Sequence, residues 1–327
     1  MTLRDLVVAV RRLHEELRAA VIAAGERRAS GEPAGVARDG EGDTVYALDV
    51  VPEAPLVEFF EREIAPCAAV ALVAEGIPGG SLFLPPRASD TDVRWRVIVD
   101  PIDGTRPLMY QKRSGWILTG IAPNRGPGTG LHDIQAAVQT EIPVEKQYLA
   151  DVVWAVRGEG VQAERWNRLT NERTPLTLTP SRAATLAHGY GMVARFFPGR
   201  RDVLAAIDDE IVAKVLGPPR PDKAACFEDQ YVSTGGQLYG LMAGQDRFIA
   251  DLRPLVHSGA LCCHPYDICT ELIARELGVI VTDERGRPLS APLSLQPNVA
   301  WIGYANAQIR SVVEPALQEA LRSRGFL

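Results

Sequence analysis

Leu3, Leu6, Val7, Val10, Leu13, Leu17 and Val21 recur at helical spacing with Arg and Glu between them, which predicts an amphipathic helix over residues 3 to 27. Residues 28 to 43 are rich in Gly, Arg and Asp without periodicity and read as a mobile loop or hairpin tip. A short extended piece from Val45 to Val51 follows. Pro55 then opens a helix through Phe59, Phe60 and Ile64, and Ala69 to Ala74 is an apolar run of strand length that ends at Glu75-Gly76. Gly79, Gly80, Pro85 and Pro86 break the chain there. Val93, Trp95, Val97 and Val99 alternate with Arg94 and Arg96, so a strand is expected to run into Asp100-Pro101 and turn.

Further strands are expected over Gly115 to Ala122, Ile134 to Thr140 and Gln147 to Val156, with Gly126 to Gly130 as a hairpin tip. The polar, Thr- and Pro-rich stretch from Asn167 to Arg182 is the best place for a boundary between an α+β half, residues 1–170, and an α/β half, residues 171–327. In the second half, short strands near His188 and Val212 alternate with helices near Val203 and Thr234. Thr270 to Leu277 forms a helix stopped by Gly278 before a strand from Val279 to Thr282. Ser233-Thr234-Gly235-Gly236 reads as a plain helix start, or as one facing an anion.

A chain of 327 residues can bury a sizeable core, and 46% hydrophobic with 23% charged residues is an ordinary globular composition. No apolar window approaches the roughly 18 residues of a membrane span, and the Met1 end lacks a basic-then-apolar signal, so a cytoplasmic protein is expected. A net charge of −6 without a long basic run argues against a nucleic-acid polymer as partner. Five cysteines without a C-x-x-C pair point to reduced thiols, Cys262-Cys263-His264 included.

The chemistry concentrates in Asp100-Pro101-Ile102-Asp103-Gly104-Thr105. Asp-Pro and Asp-Gly are common turn formers, yet here every position has a use in gathering a divalent metal and a phosphate. Asp100 and Asp103 offer hard oxygen ligands, the Ile102 carbonyl can join them, and the Gly104 and Thr105 amides can face a phosphate oxygen.

This string resembles the inositol monophosphatase family of the lithium-sensitive, magnesium-dependent phosphatase superfamily, which includes fructose-1,6-bisphosphatases. Asp49 ahead of a helix, Glu75 at a strand end, Gly158 to Ala163 and Tyr266-Asp267 before a helix follow in the family's order. The resemblance implies a layered αβαβα sandwich of two packed halves with the site between them. It makes Glu75, Asp100, the Ile102 carbonyl, Asp103 and Asp267 the metal ligands for two or three Mg²⁺ ions, with Mn²⁺ an alternative. It gives Asp49 and Thr105 the task of orienting the attacking water, and it implies a homodimer. Departures are Gly76 where many relatives have a second acid, and Tyr266 in place of the usual Trp. Arg106, Asp251, Arg253 and His257 are candidates for reading the alcohol half of the substrate. The expected activity is hydrolysis of a small phosphorylated polyol or sugar. Fructose 1,6-bisphosphate, a nucleotide 3′-phosphate, and a relative that binds metal and phosphate without turnover are the rivals. The bare alternatives for the two outlying acids are a helix cap at Asp267 and an exposed strand residue at Asp49.

Overall fold

The computed structural model describes residues 1–28, 36–38, 45–257, 259 and 261–327 of the chain. The amphipathic pattern yields α1 (Leu3–Arg28), whose Leu6, Val10, Leu13 and Leu17 are completely buried, each contributing about 1.5–3 kcal/mol through removal from water. The expected loop over residues 28 to 43 lies outside the described residues except at Arg28 and at β1 (Val36–Arg38), which pairs antiparallel with β2 (Val45–Tyr46). The extended piece expected up to Val51 is confined to β2, and residues 47 to 52 turn directly into α2 (Glu53–Phe59). Pro55 sits in the first turn of α2, where a missing N–H costs no hydrogen bond. The helix widens into a π turn over Phe60–Ile64 that buries Phe60 and Ile64.

Next come β3 (Val70–Ala74), β4 (Ser81–Leu84) and β5 (Trp95–Asp103). Between the break signals at Gly79-Gly80 and Pro85-Pro86, four residues still form β4, an edge strand that the apolar pattern alone does not mark. After α3 (Thr105–Met109) the chain runs through β6 (Gly115–Pro123), β7 (Ala136–Ile142), β8 (Leu149–Val156), β9 (Val161–Asn167) and β10 (Arg173–Pro175). These strands order as β10-β9-β8-β7-β6-β5-β3-β4, antiparallel throughout except for the parallel β3–β5 pair.

The remainder builds a four-stranded sheet in the order β11-β12-β14-β13. Its elements are β11 (Tyr190–Val193), α4 (Arg201–Leu216), α5 (Thr234–Met242), β12 (Asp246–Asp251), α6 (Arg253–Val256), α7 (Glu271–Glu276), β13 (Ile280–Thr282), β14 (Trp301–Tyr304) and α8 (Ala307–Arg322). Val212, expected near a strand, lies inside α4, where Leu204, Ile207 and Ile211 give the buried face its helical period.

One apolar cluster joins α1 and α2 to one face of the large sheet, a second fills the space between the sheets around α5 and α7, and a third seats α4 and α8 on the small sheet. The layers therefore run α, β, α, β, α, each covering the apolar face of its neighbour. Among the described residues no helix is long and apolar enough to cross a membrane.

Candidate active site

The sheet itself gathers the acids. Parallel pairing sets Ala74 of β3 opposite Val99 of β5, so the next residues, Glu75 and Asp100, leave the same end of the sheet side by side. In a regular strand Asp100 and Asp103, three apart, would face opposite sides. The expected turn at Asp100-Pro101 is instead a bulge within β5. Asp100 faces Leu118 and Asp103 faces Trp116, so three steps on β5 match two on β6 and both carboxylates turn to one side. The Ile102 N–H donates to Asp100 Oδ1 at 3.0 Å and fixes the bulge from within.

Asp103 is then claimed by the start of α5. Ser233 Oγ donates to its Oδ2 at 2.6 Å, Gly235 N–H to Oδ2 at 2.6 Å and Thr234 N–H to Oδ1 at 3.2 Å. The anion at that helix start is thus a carboxylate of the chain itself, held by otherwise unpaired amides and the helix dipole. Ser233 serves as N-cap at the same time, accepting from Gly236 N–H at 2.9 Å. Gly104 has φ +80, and a Cβ there would fall 2.9 Å from Ser233 Cβ, so glycine lets the motif approach α5. Thr105 Oγ1 donates to Asp49 Oδ1 at 2.5 Å, with the Ile102 carbonyl oxygen 3.0 Å away. The turn that replaces the expected strand around Asp49 is what points its carboxylate at Thr105.

Asp267 arrives from the opposite side. It is not the cap of α7, since Thr270 occupies that position, and its Oδ2 instead accepts the His264 N–H at 2.5 Å. Tyr266 donates its hydroxyl to Glu75 Oε1 at 2.8 Å, and the His264 ring stacks on the Tyr266 ring with centroids 5.3 Å apart. Where a Trp would offer only a ring N–H at another position, the phenol ties the last motif to the end of β3.

Asp100, Asp103 and Asp267 each offer an oxygen within 4.8 Å of the other two. Burial, followed by the charges of Asp103, Asp267 and Glu75, holds the Asp100 carboxyl well above its usual range. Burial and then Asp267 push Asp103 up to about 7, against the opposing pull of Ser233 and the Gly235 and Thr234 amides. Such a set is oxygen-only, crowded and short of positive charge, which fits a hard divalent cation such as Mg²⁺ and not a thiolate-seeking one. None of the five cysteines is joined in a disulfide, and Cys262 and Cys263 lie on the cleft wall.

These groups line one cleft of about 580 Å³. It takes in Asp49, Glu75, Asp100, Ile102, Asp103, Gly104, Thr105 and Asp267, all expected from the sequence. Among the candidates for the alcohol half, Arg106 and Arg253 reach the cleft, whereas Asp251 is fully buried and His257 is exposed outside the lining. Asp251 instead grips Arg253, with Nε to Oδ1 at 2.8 Å and Nη2 to Oδ2 at 2.5 Å. Ser233, read in the sequence only as a helix start that could face an anion, and His264, read only beside the reduced thiols, also meet the cleft, as do Glu53 and the pair Phe196-Phe197, which carry no functional reading in the sequence. Glu53 packs its carboxyl against Gly76, where a Cβ would fall 2.5 Å from Glu53 Cγ. Two adjacent aromatic residues before Pro198-Gly199, in a stretch without strand or helix period, were the one sequence signal for the Phe pair. Gly158 to Gly160 make the β8–β9 turn and Val161 to Ala163 begin β9, and none of them lines the cleft.

No family model and no curated protein matches the chain. Solved structures do. An IMPase of Thermotoga maritima is 16% identical over 98% of this chain and 99% of its own, with a TM-score of 0.64. The extragenic suppressor protein suhB of Bartonella henselae is 17% identical over 96% and 99%, at 0.66. A fructose-1,6-bisphosphatase of Leishmania major is 12% identical over 98% and 94%, at 0.63. Near-complete coverage in both directions at such low identity is a likeness of architecture, and the chain has the fold common to these inositol monophosphatase and fructose-1,6-bisphosphatase structures.

Proposed function

We propose that this protein is a Mg²⁺-dependent phosphomonoesterase acting on a small phosphorylated alcohol. The observation that carries the reading is the meeting of Asp100, Asp103 and Asp267 within 4.8 Å beside the hydrogen-bonded Thr105–Asp49 pair. Asp100, Asp103, Asp267, Glu75 and the Ile102 carbonyl would hold the metal. Bound Mg²⁺ supplies Lewis-acid stabilisation of phosphoryl charge and makes water a better nucleophile near neutral pH. Asp49 accepts the Thr105 proton, so the Thr105 oxygen keeps its lone pairs turned to the cleft, where it can accept a hydrogen bond from water and orient it. Gly104, with its backbone in the left-handed region, offers its amide to a phosphate oxygen. A phosphorylated polyol or sugar is the substrate that the sequence resemblance suggests, and Arg106 at the rim offers it a cation.

Turnover of a panel of phosphomonoesters with and without Mg²⁺ tests the reading. Hydrolysis that needs Mg²⁺ and stops in excess chelator is expected. Undiminished hydrolysis in chelator overturns it, and Mg²⁺ binding without turnover of any ester would favour a non-catalytic phosphate binder.

A further inference from the structure

Phe196 and Phe197 are half-buried aromatic residues on the wall of a cleft whose floor is acidic. A pair of adjacent aromatic rings on the wall of a cleft presents apolar surface to whatever the cleft binds. Their ring centroids lie 4.9 Å apart and their planes meet at 82°, so together they form a right-angled aromatic corner.

The backbone that carries the corner is tied down by hydrogen bonds. The Ala194 N–H donates to Ala250 O at 2.8 Å and Arg195 N–H to Gln230 Oε1 at 2.8 Å, while Arg201 donates to Phe197 O at 2.9 Å and Phe196 O at 2.7 Å. Behind the rings stands Arg253, its guanidinium carbon 4.4 Å from the Phe196 centroid and 5.3 Å from that of Phe197. Asp251 holds its Nε and Nη2, and Leu261 O accepts Nη1 at 2.6 Å. The charge of Arg253 is therefore matched by Asp251, and its flat face serves as backing for the rings. Arg106 lies over Phe197 with its guanidinium carbon 5.1 Å from the centroid.

We propose that this corner receives a planar aromatic or heteroaromatic ring on the alcohol half of the substrate. The inference rests on the phosphomonoesterase reading and names, in place of the polyol or sugar that the sequence resemblance suggests, an aromatic alcohol as the substrate class. A polyol can lay only a C–H face on phenyl surfaces, whereas a flat aromatic ring gains offset-stacked or edge contacts there as well and has no hydroxyls to keep hydrated. Because the backbone that carries the rings is already held, less ordering offsets that gain.

The test compares benzyl phosphate, cyclohexylmethyl phosphate and inositol 1-phosphate with Mg²⁺. The first two share a primary-alcohol leaving group and similar bulk and differ in the flatness of the ring. Wild-type kcat/KM for benzyl phosphate should exceed that for cyclohexylmethyl phosphate by about two- to tenfold, the range expected of aromatic pairing, with inositol 1-phosphate lower still. In the doubly substituted Phe196→Leu, Phe197→Leu protein the benzyl-to-cyclohexylmethyl ratio should fall towards one, and in Phe196→Tyr, Phe197→Tyr it should persist. A wild-type ratio near one, or inositol 1-phosphate as the best of the three, overturns the proposal while leaving a phosphatase in place. An unchanged ratio in the leucine protein also overturns it. Failure to hydrolyse any ester overturns instead the phosphomonoesterase reading on which it rests.

Discussion

Replacing Asp100 by Asn should make the metal-free protein more stable. Asp100 accepts one hydrogen bond, from the Ile102 N–H, and otherwise faces acids, with ligand oxygens of Asp103 and Asp267 within 4.8 Å. Two full charges at that separation repel by about 3.5 kcal/mol at an effective dielectric constant of 20. The cluster avoids part of this by keeping protons, which is why Asp100 titrates well above its usual range and Asp103 near 7. A carboxyl moved from 3.8 to about 7 contributes stability below pH 4 that is lost as pH rises through about 7, in all roughly 4 kcal/mol. The new amide keeps an oxygen for the Ile102 N–H and turns an N–H₂ towards the remaining carboxylates. A gain of about 2–4 kcal/mol at pH 8 is therefore expected in chelator, and almost none at pH 4. For a 327-residue chain each kcal/mol moves the melting temperature by about 1.5 °C, so the shift is roughly 3–6 °C. Mg²⁺ at a hundred times its dissociation constant should stabilise the wild type by about 2.7 kcal/mol and the variant far less. Scanning calorimetry from pH 4 to 8, with chelator and with Mg²⁺, measures all of these. A variant that melts lower than wild type in chelator at pH 8, yet responds to Mg²⁺ as wild type does, refutes the convergence of charge on Asp100.

Thr105→Ala should lower kcat by about 100-fold or more while leaving the Mg²⁺-induced melting shift near that of wild type, because it removes a proton-handling group and no carboxylate. A loss confined to KM contradicts that role. Tyr266→Phe removes the hydrogen bond to Glu75 and should weaken Mg²⁺ or Mn²⁺ binding by about tenfold in a calorimetric titration of the folded protein. An unchanged titration would leave Tyr266 as packing alone. Gly76→Ala forces a side chain into left-handed backbone at φ +79 and displaces the Glu53 carboxyl, costing about 1–2 kcal/mol, or roughly 2–3 °C of melting temperature. Equal melting of the two proteins would show that this turn relaxes freely. Ca²⁺ in place of Mg²⁺ should support turnover at a small fraction of the rate, since its looser shell misplaces water and phosphate, and equal rates would argue against a tight site.

What was legible in the sequence was local. The string from Asp100 to Thr105 carries its chemistry in six consecutive residues, and the alternation before it marks β5 without any knowledge of neighbours. The course of the chain through the string was not legible, because a bulge exists only relative to the strand paired with it. Asp100-Pro101 reads alone as a turn, and only Leu118 and Trp116 on β6 show that the strand continues to Asp103. Asp267 shows the same limit: an acid just before a helix matches an N-cap in sequence, but the chain makes a further turn and Thr270 takes the cap. Pro315 inside α8 argues locally against the helix that packing on β14 nevertheless maintains.

Arg253 illustrates why the alcohol half of the cleft was the hardest part to infer. A basic residue near a phosphate site suggests an anion-binding group, and nothing in its spacing from Asp251 reveals that the two are buried together. A guanidinium with only 5% of its side chain exposed has to be paired, because an isolated buried charge is far more costly than a hydrogen-bonded ion pair. Once Asp251 neutralises it, Arg253 has little field left to offer a second phosphate, and what it presents to the cleft is a flat surface under two phenyl rings. Under the proposed function, phosphate recognition would fall to the Asp100–Thr105 segment and the cation its acids would hold, and recognition of the alcohol mainly to shape. The two halves of such a substrate would thereby be met by opposite physics. The floor would meet the phosphate that every phosphomonoester shares, and the proposed role of the aromatic wall is to distinguish among them.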